Sequence, residues 1–170
     1  MEEEEKPSII KKVIIIILAI FLIILILTYL LTNSEIRSIV ESLLLSSKIS
    51  ENKVVLKGIN ITFTNESYDK LISIYNDNLD KEFKVCLYGK IENNNYVIEE
   101  VIQPKTYLQT FNSVIADKCD DDALIDLHSH PFRRCIPSDV DVKHYLENKK
   151  YNSDLILGVM CEKDRFYFYK

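Results

Sequence analysis

Residues 123–141 read Ala-Leu-Ile-Asp-Leu-His-Ser-His-Pro-Phe-Arg-Arg-Cys-Ile-Pro-Ser-Asp-Val-Asp, and this stretch decides the fold. Its first five residues are largely apolar and read as a strand. Side chains at i and i+2 share one face of a strand, so His128 and His130 project together while Ser129 points the other way. Pro131 cannot donate to a ladder and ends the strand. The chain then turns through 132–137. Ser138 is a good N-cap for a helix over about 139–149, with Asp139 and Asp141 in its positively polarised first turn. Asp141 can swing back toward the two imidazoles. Two histidines and an aspartate form a three-ligand set suited to zinc, leaving a fourth position for water. The plainer alternative is a polar strand end followed by a capped helix without metal. The chain has only three histidines, and two of them fall in this tripeptide.

A catalytic zinc also needs a group to manage the proton of its water. Glu82 is the candidate, at the head of Glu-Phe-Lys-Val-Cys-Leu-Tyr-Gly (82–89), which reads as another strand. The bland alternative is an exposed charge at a strand start. With these residues in view, the sequence resembles the JAMM (MPN+) metalloprotease family. That pattern is a glutamate opening an apolar strand that ends in glycine, then His-x-His-Pro, six residues, and Ser-x-x-Asp. The match falls on Glu82, Gly89, His128, His130, Pro131, Ser138 and Asp141, and the resemblance covers roughly 54–170.

The resemblance implies an MPN-type mixed sheet flanked by helices and one zinc per chain, held by His128, His130 and Asp141. It gives Glu82 the role of proton acceptor and later donor to the leaving amine. It gives Ser138 a hydrogen bond to the developing oxyanion. The implied reaction is hydrolysis of a peptide or isopeptide bond, with a ubiquitin-like conjugate as the usual substrate. Only 29 residues follow Asp141, short of the insertion that chain-specific members carry there, so linkage specificity is not implied. The competing expectation is a non-catalytic MPN-type scaffold that binds partners, as members lacking the ligands do. A third is a JAMM-like domain of unassigned substrate in stress or repair systems.

Upstream lies a different object. Val13 to Leu31 is nineteen residues without a charge, spanning about 28 Å of helix against a hydrocarbon core of roughly 30 Å. No small-x-small site follows, and the run is long for a signal peptide. The expected order is a charged tail (1–12), a transmembrane helix (13–31), a juxtamembrane helix or linker (32–53) and one catalytic domain (54–170). Lys6, Lys11 and Lys12 precede the apolar run and Arg37 follows it, so the positive-inside rule puts the N-terminus in the cytoplasm and the domain outside. Ubiquitin-like substrates are intracellular and pull the other way, so the side stays open.

The domain reads as strands near 53–63, 83–89, 95–102, 124–130, 154–161 and 165–169. Helices are expected at 65–76 (capped by Thr64 or Asn65) and 139–149, with a loop and short helix up to 118. The class is α/β or α+β. A net charge of −5 without a basic stripe speaks against nucleic acid. Cys86, Cys119, Cys135 and Cys161 form no Cys-x-x-Cys pair and suggest neither a second zinc site nor a disulfide framework. Cys86 and Cys161 read as core, and Cys135 as a loop residue beside the metal. Asp126 shares the face of both histidines and is placed to orient one, although a solvated strand residue is the simpler reading. His144 shares the helix face of Asp141 and reads as surface. The sequons at Asn60 and Asn65 carry little weight in an asparagine-rich chain.

Overall fold

The run Leu155–Cys161 is apolar at every position, and burial on both faces is what such a strand requires. The computed structural model, which describes residues 9–131 and 134–170, provides it. The strand β9 (Ile156–Glu162) turns Ile156 and Met160 into the main core and Leu155 and Leu157 toward a second cluster around Tyr145. It pairs in parallel with β8 (Ile125–Ser129), which pairs antiparallel with β4 (Lys84–Glu92).

These strands are the middle of an eight-stranded sheet ordered β1-β10-β9-β8-β4-β5-β3-β2. The others are β1 (Ser47–Lys48), β2 (Lys53–Val55), β3 (Asn60–Phe63), β5 (Asn95–Ile102) and β10 (Arg165–Tyr169). Its end strands β1 and β2 are neighbours in sequence and are joined by a bridge between Ser50 and Lys53, so the sheet is nearly closed and barrel-like. The helix α3 (Asn65–Asp77), capped by the Thr64 hydroxyl, buries Leu71 in the main core. The helix α4 (Asp139–Asn148) packs Tyr145 on the opposite face of β9. Helices and strands are therefore mixed in one domain, as expected.

Two expectations are corrected. The segment up to 118 holds no short helix. It forms a hairpin of β6 (Thr106–Thr110) and β7 (Ser113–Ala116) around Phe111-Asn112. Its Thr, Tyr, Val and Ile residues favour the extended state. The cysteines, which suggested no framework, are all paired, as Cys86–Cys119 and Cys135–Cys161, with Cα atoms 5.5 and 5.0 Å apart. The separations of 33 and 26 residues match no short motif, so only the fold brings the partners together. By chain entropy each loop closure is worth about 3.5 kcal/mol.

The helix α1 (Ile9–Thr32) runs 24 residues with none buried, long and apolar enough to cross a membrane. A single residue, Asn33, separates it from α2 (Ser34–Leu45). The compact unit that holds the sheet starts at Ile39, so the second half of α2 belongs to that unit rather than to a linker. Residues 1–8, including Lys6 and the glutamate run, lie outside the described residues.

Gly89 sits where the β4–β5 register shifts, and a Cβ there would stand 1.9 Å from the Val97 carbonyl oxygen. The opposing atom is backbone and cannot move aside. Gly89→Ala is expected to destabilise the domain by at least about 2 kcal/mol, read as a lower denaturation midpoint with an unchanged slope.

Candidate metal centre

Alternation along β8 sorts its side chains. Ile125 and Leu127 join the core, and Ser129 points the same way. His128 and His130 project from the opposite face, toward the N-terminus of α4. There Ser138 caps the helix in a reciprocal box. Its backbone N–H and its hydroxyl donate to Asp141 Oδ2 at 2.7 and 2.6 Å, and the Asp141 N–H donates back to Ser138 Oγ at 3.2 Å. Asp141 Oδ2 therefore has a fixed position.

Three atoms converge there. His128 Nε2 and His130 Nε2 are 3.0 Å apart, and they lie 3.4 and 3.6 Å from Asp141 Oδ2. A tetrahedral ion with bonds of about 2.0–2.1 Å separates its ligands by roughly 3.3 Å, and the three distances bracket that value. His130 Nδ1 lies 3.0 Å from the Arg134 carbonyl. That carbonyl accepts only, so it selects the tautomer with a proton on Nδ1 and a lone pair on Nε2. The group His128, His130 and Asp141 can hold a metal ion.

Glu82 lies at the rim, with Oε1 3.8 Å from His130 Nε2. Burial pushes its carboxyl pKa up, opposed by His130 and assisted by Asp141. Burial would also raise Asp141, but hydrogen bonding to His128, His130 and Ser138 outweighs it and holds that carboxyl far below its usual range. One of the two carboxylates is thus fixed in its charged form and the other is eased toward accepting a proton.

The backbone around Glu82 is tied on both sides. Its N–H donates to Thr110 of the hairpin at 2.8 Å, and the next N–H, of Phe83, donates to Ser129 Oγ at 2.9 Å. Ser129, which the sequence reading only turned away from the histidines, therefore joins the ligand strand to the Glu82 segment. Its position between two ligands was the available signal. A cleft of about 500 Å³ opens beside the centre, and His130, Pro131, Asn78, Lys81 and Lys163 are among the residues that line it.

The remaining candidates do not join the cluster. Asp126 Oδ2 binds Lys84 Nζ at 2.9 Å, and both side chains are largely buried. Asp126 thus neutralises Lys84, its diagonal neighbour on β4, and no contact with an imidazole is seen. His144 is exposed. The Cys135 sulfur is committed to Cys161 and is no alternative ligand. A scan of protein-family models and a search of curated proteins find no match to the sequence.

Metal uptake is expected to stabilise the fold, by about 2.7 kcal/mol at a free metal concentration a hundred times Kd. Chelation should lower Tm in the wild type and leave a His128→Ala variant unmoved. Asp126→Asn should cost on the order of 2 kcal/mol, below the ~3–5 of a fully buried pair. Metal affinity measured by competition with a chromophoric chelator should not change.

Proposed function

We propose that the protein is a membrane-anchored zinc metallopeptidase of the JAMM (MPN+) type that hydrolyses a peptide or isopeptide amide. The observation that carries this reading is the convergence of His128 Nε2, His130 Nε2 and Asp141 Oδ2 at ion-binding separations with Glu82 Oε1 beside them. Two imidazoles and one carboxylate are a donor set for zinc with a position left open. When bound, zinc supplies a Lewis acid that activates water and polarises a carbonyl.

The chain's own residues do the rest. Asp141, fixed by the α4 cap, brings negative charge to the cation. Glu82 takes a proton from the attacking water and passes it to the departing amine, a role that suits a carboxylate made more basic by burial. The Ser138 hydroxyl, which donates to Asp141 here, is exposed and close enough to the centre to turn toward an oxyanion.

The anchor is α1. Two features favour a catalytic domain outside the cytoplasm. The basic residues Lys6, Lys11 and Lys12 precede the uncharged run Val13–Leu31, and two disulfides persist best in an oxidising compartment. Twelve asparagines in 170 residues argue against the hyperthermophile exception to that redox rule. On that side the substrate is a protein or peptide of the outer membrane face rather than a cytosolic ubiquitin-like conjugate.

The test uses the full chain in detergent. One zinc per chain and hydrolysis of peptide or isopeptide substrates are expected. Glu82→Gln should retain zinc while turnover falls by about 10²–10⁴. Zinc binding without hydrolysis of any conjugate or peptide would instead support the scaffold reading. Labelling of Lys84→Cys by a membrane-impermeant thiol reagent is unsuitable because that residue is largely buried. A cysteine at exposed Tyr151 should be labelled in intact cells if the domain is outside.

A further inference from the structure

The peptide group that joins Arg134 to Cys135 is held from both sides. Its carbonyl faces His130 Nδ1 at 3.0 Å. Its N–H donates to Ser42 Oγ at 3.0 Å, a buried bond between residues 93 apart in sequence. A peptide group is planar, so fixing the N–H fixes the direction of the carbonyl. The Cα that follows is also tethered, since Cys135 is bonded to Cys161 at the end of β9. One residue before Cys161, the Met160 carbonyl accepts the His130 N–H at 2.9 Å. Ser42 is 1 % exposed and Cys135 fully buried. Ser42 lies on α2, and Arg165 holds the end of that helix by donating to the Leu43 carbonyl and to Ser46 Oγ.

We propose that Ser42, on the juxtamembrane helix, is a positioning residue for the metal centre, acting with the Cys135–Cys161 disulfide through the 134–135 peptide to set the tautomer and orientation of His130. The proposal rests on the metal reading above. The physical logic is that of outer-shell partners. A ligating imidazole whose other nitrogen has a fixed acceptor keeps its lone pair aimed at the ion, and loss of such a partner typically costs about 10–100-fold in metal affinity. Here the acceptor is a loop carbonyl. A loop carbonyl aims well only if its own peptide is restrained. The restraint comes from a helix that begins one residue beyond the apolar α1, so the segment leaving the anchor is part of the site.

Zinc affinity of the full chain in detergent, measured by competition with a chromophoric chelator, tests this. Ser42→Ala should weaken zinc binding about tenfold, and the double variant Cys135→Ser/Cys161→Ser by about 10–100-fold. Cys86→Ser/Cys119→Ser, which removes the other disulfide, should stay within about twofold of the wild type. Nitrogen chemical shifts of His130 in the metal-free chain supply a readout that general loosening does not move. The Nδ1-protonated tautomer should dominate in the wild type and mix with the other in Ser42→Ala. If Ser42→Ala does not fold, the cysteine double variant carries the test with Ser42 in place. Wild-type zinc affinity in the folded variants would overturn the relay while leaving the metal centre standing. A wild-type chain that takes up no zinc would overturn both.

Discussion

Backbone pairing on both edges of β8 is the constraint from which the rest of the domain follows. In the parallel ladder His128 lies opposite Val159, and in the antiparallel one it lies opposite Lys84. With both edges used, the strand can neither slip nor rotate. A one-residue slip would send the imidazoles into the core and Leu127 out of it. Every other chemical group is placed relative to this fixed strand. Glu82 reaches the rim because β4 pairs with β8 on one side, and the disulfide reaches the Arg134–Cys135 segment because β9 pairs on the other.

The sequence made the local parts of this arrangement readable. His-x-His on a strand, a Ser N-cap and an aspartate in the first turn of a helix are short-range patterns with short-range causes, and they place His128, His130, Ser138 and Asp141 correctly relative to one another. The β6–β7 hairpin was missed because Phe111-Asn112 is not a standard two-residue turn signature. The cysteine pairing was hidden for a different reason. Cys86 and Cys161 have the neighbours of ordinary core residues, and their partners are set by sheet order, which periodicity does not report. The same is true of Ser42, whose partner lies 93 residues away. The Lys84–Asp126 pair lies between these cases. Asp126 shares the face of the two histidines, but its diagonal contact with Lys84, which lies opposite His128, depends on a register that only the fold supplies.

Two kinds of rigidity meet at the centre. Asp141 is restrained by a helix cap, a local device that forms with α4 itself. His130 is restrained by contacts that assemble only when α2, β9 and the Arg134–Cys135 segment are together. The two side chains therefore differ in how they respond to damage elsewhere. A perturbation of α2 or β9 bears on His130 first, whereas Asp141 keeps its cap as long as the first turn of α4 survives.

The near-closure of the sheet has a consequence for biosynthesis. β1, at Ser47–Lys48, finds its partner in β10, where Ser47 faces Phe166. During translation β1, just after α2, emerges early and has no strand to pair with until Arg165–Tyr169 has left the ribosome. Helices can form as they appear, but this seam waits for a strand more than a hundred residues later, and contacts so distant in sequence are slow to close. In the interval the edges of β1 and β9 stay open to other chains. Completing the seam is therefore a late step of folding, and one that a chaperone is suited to guard.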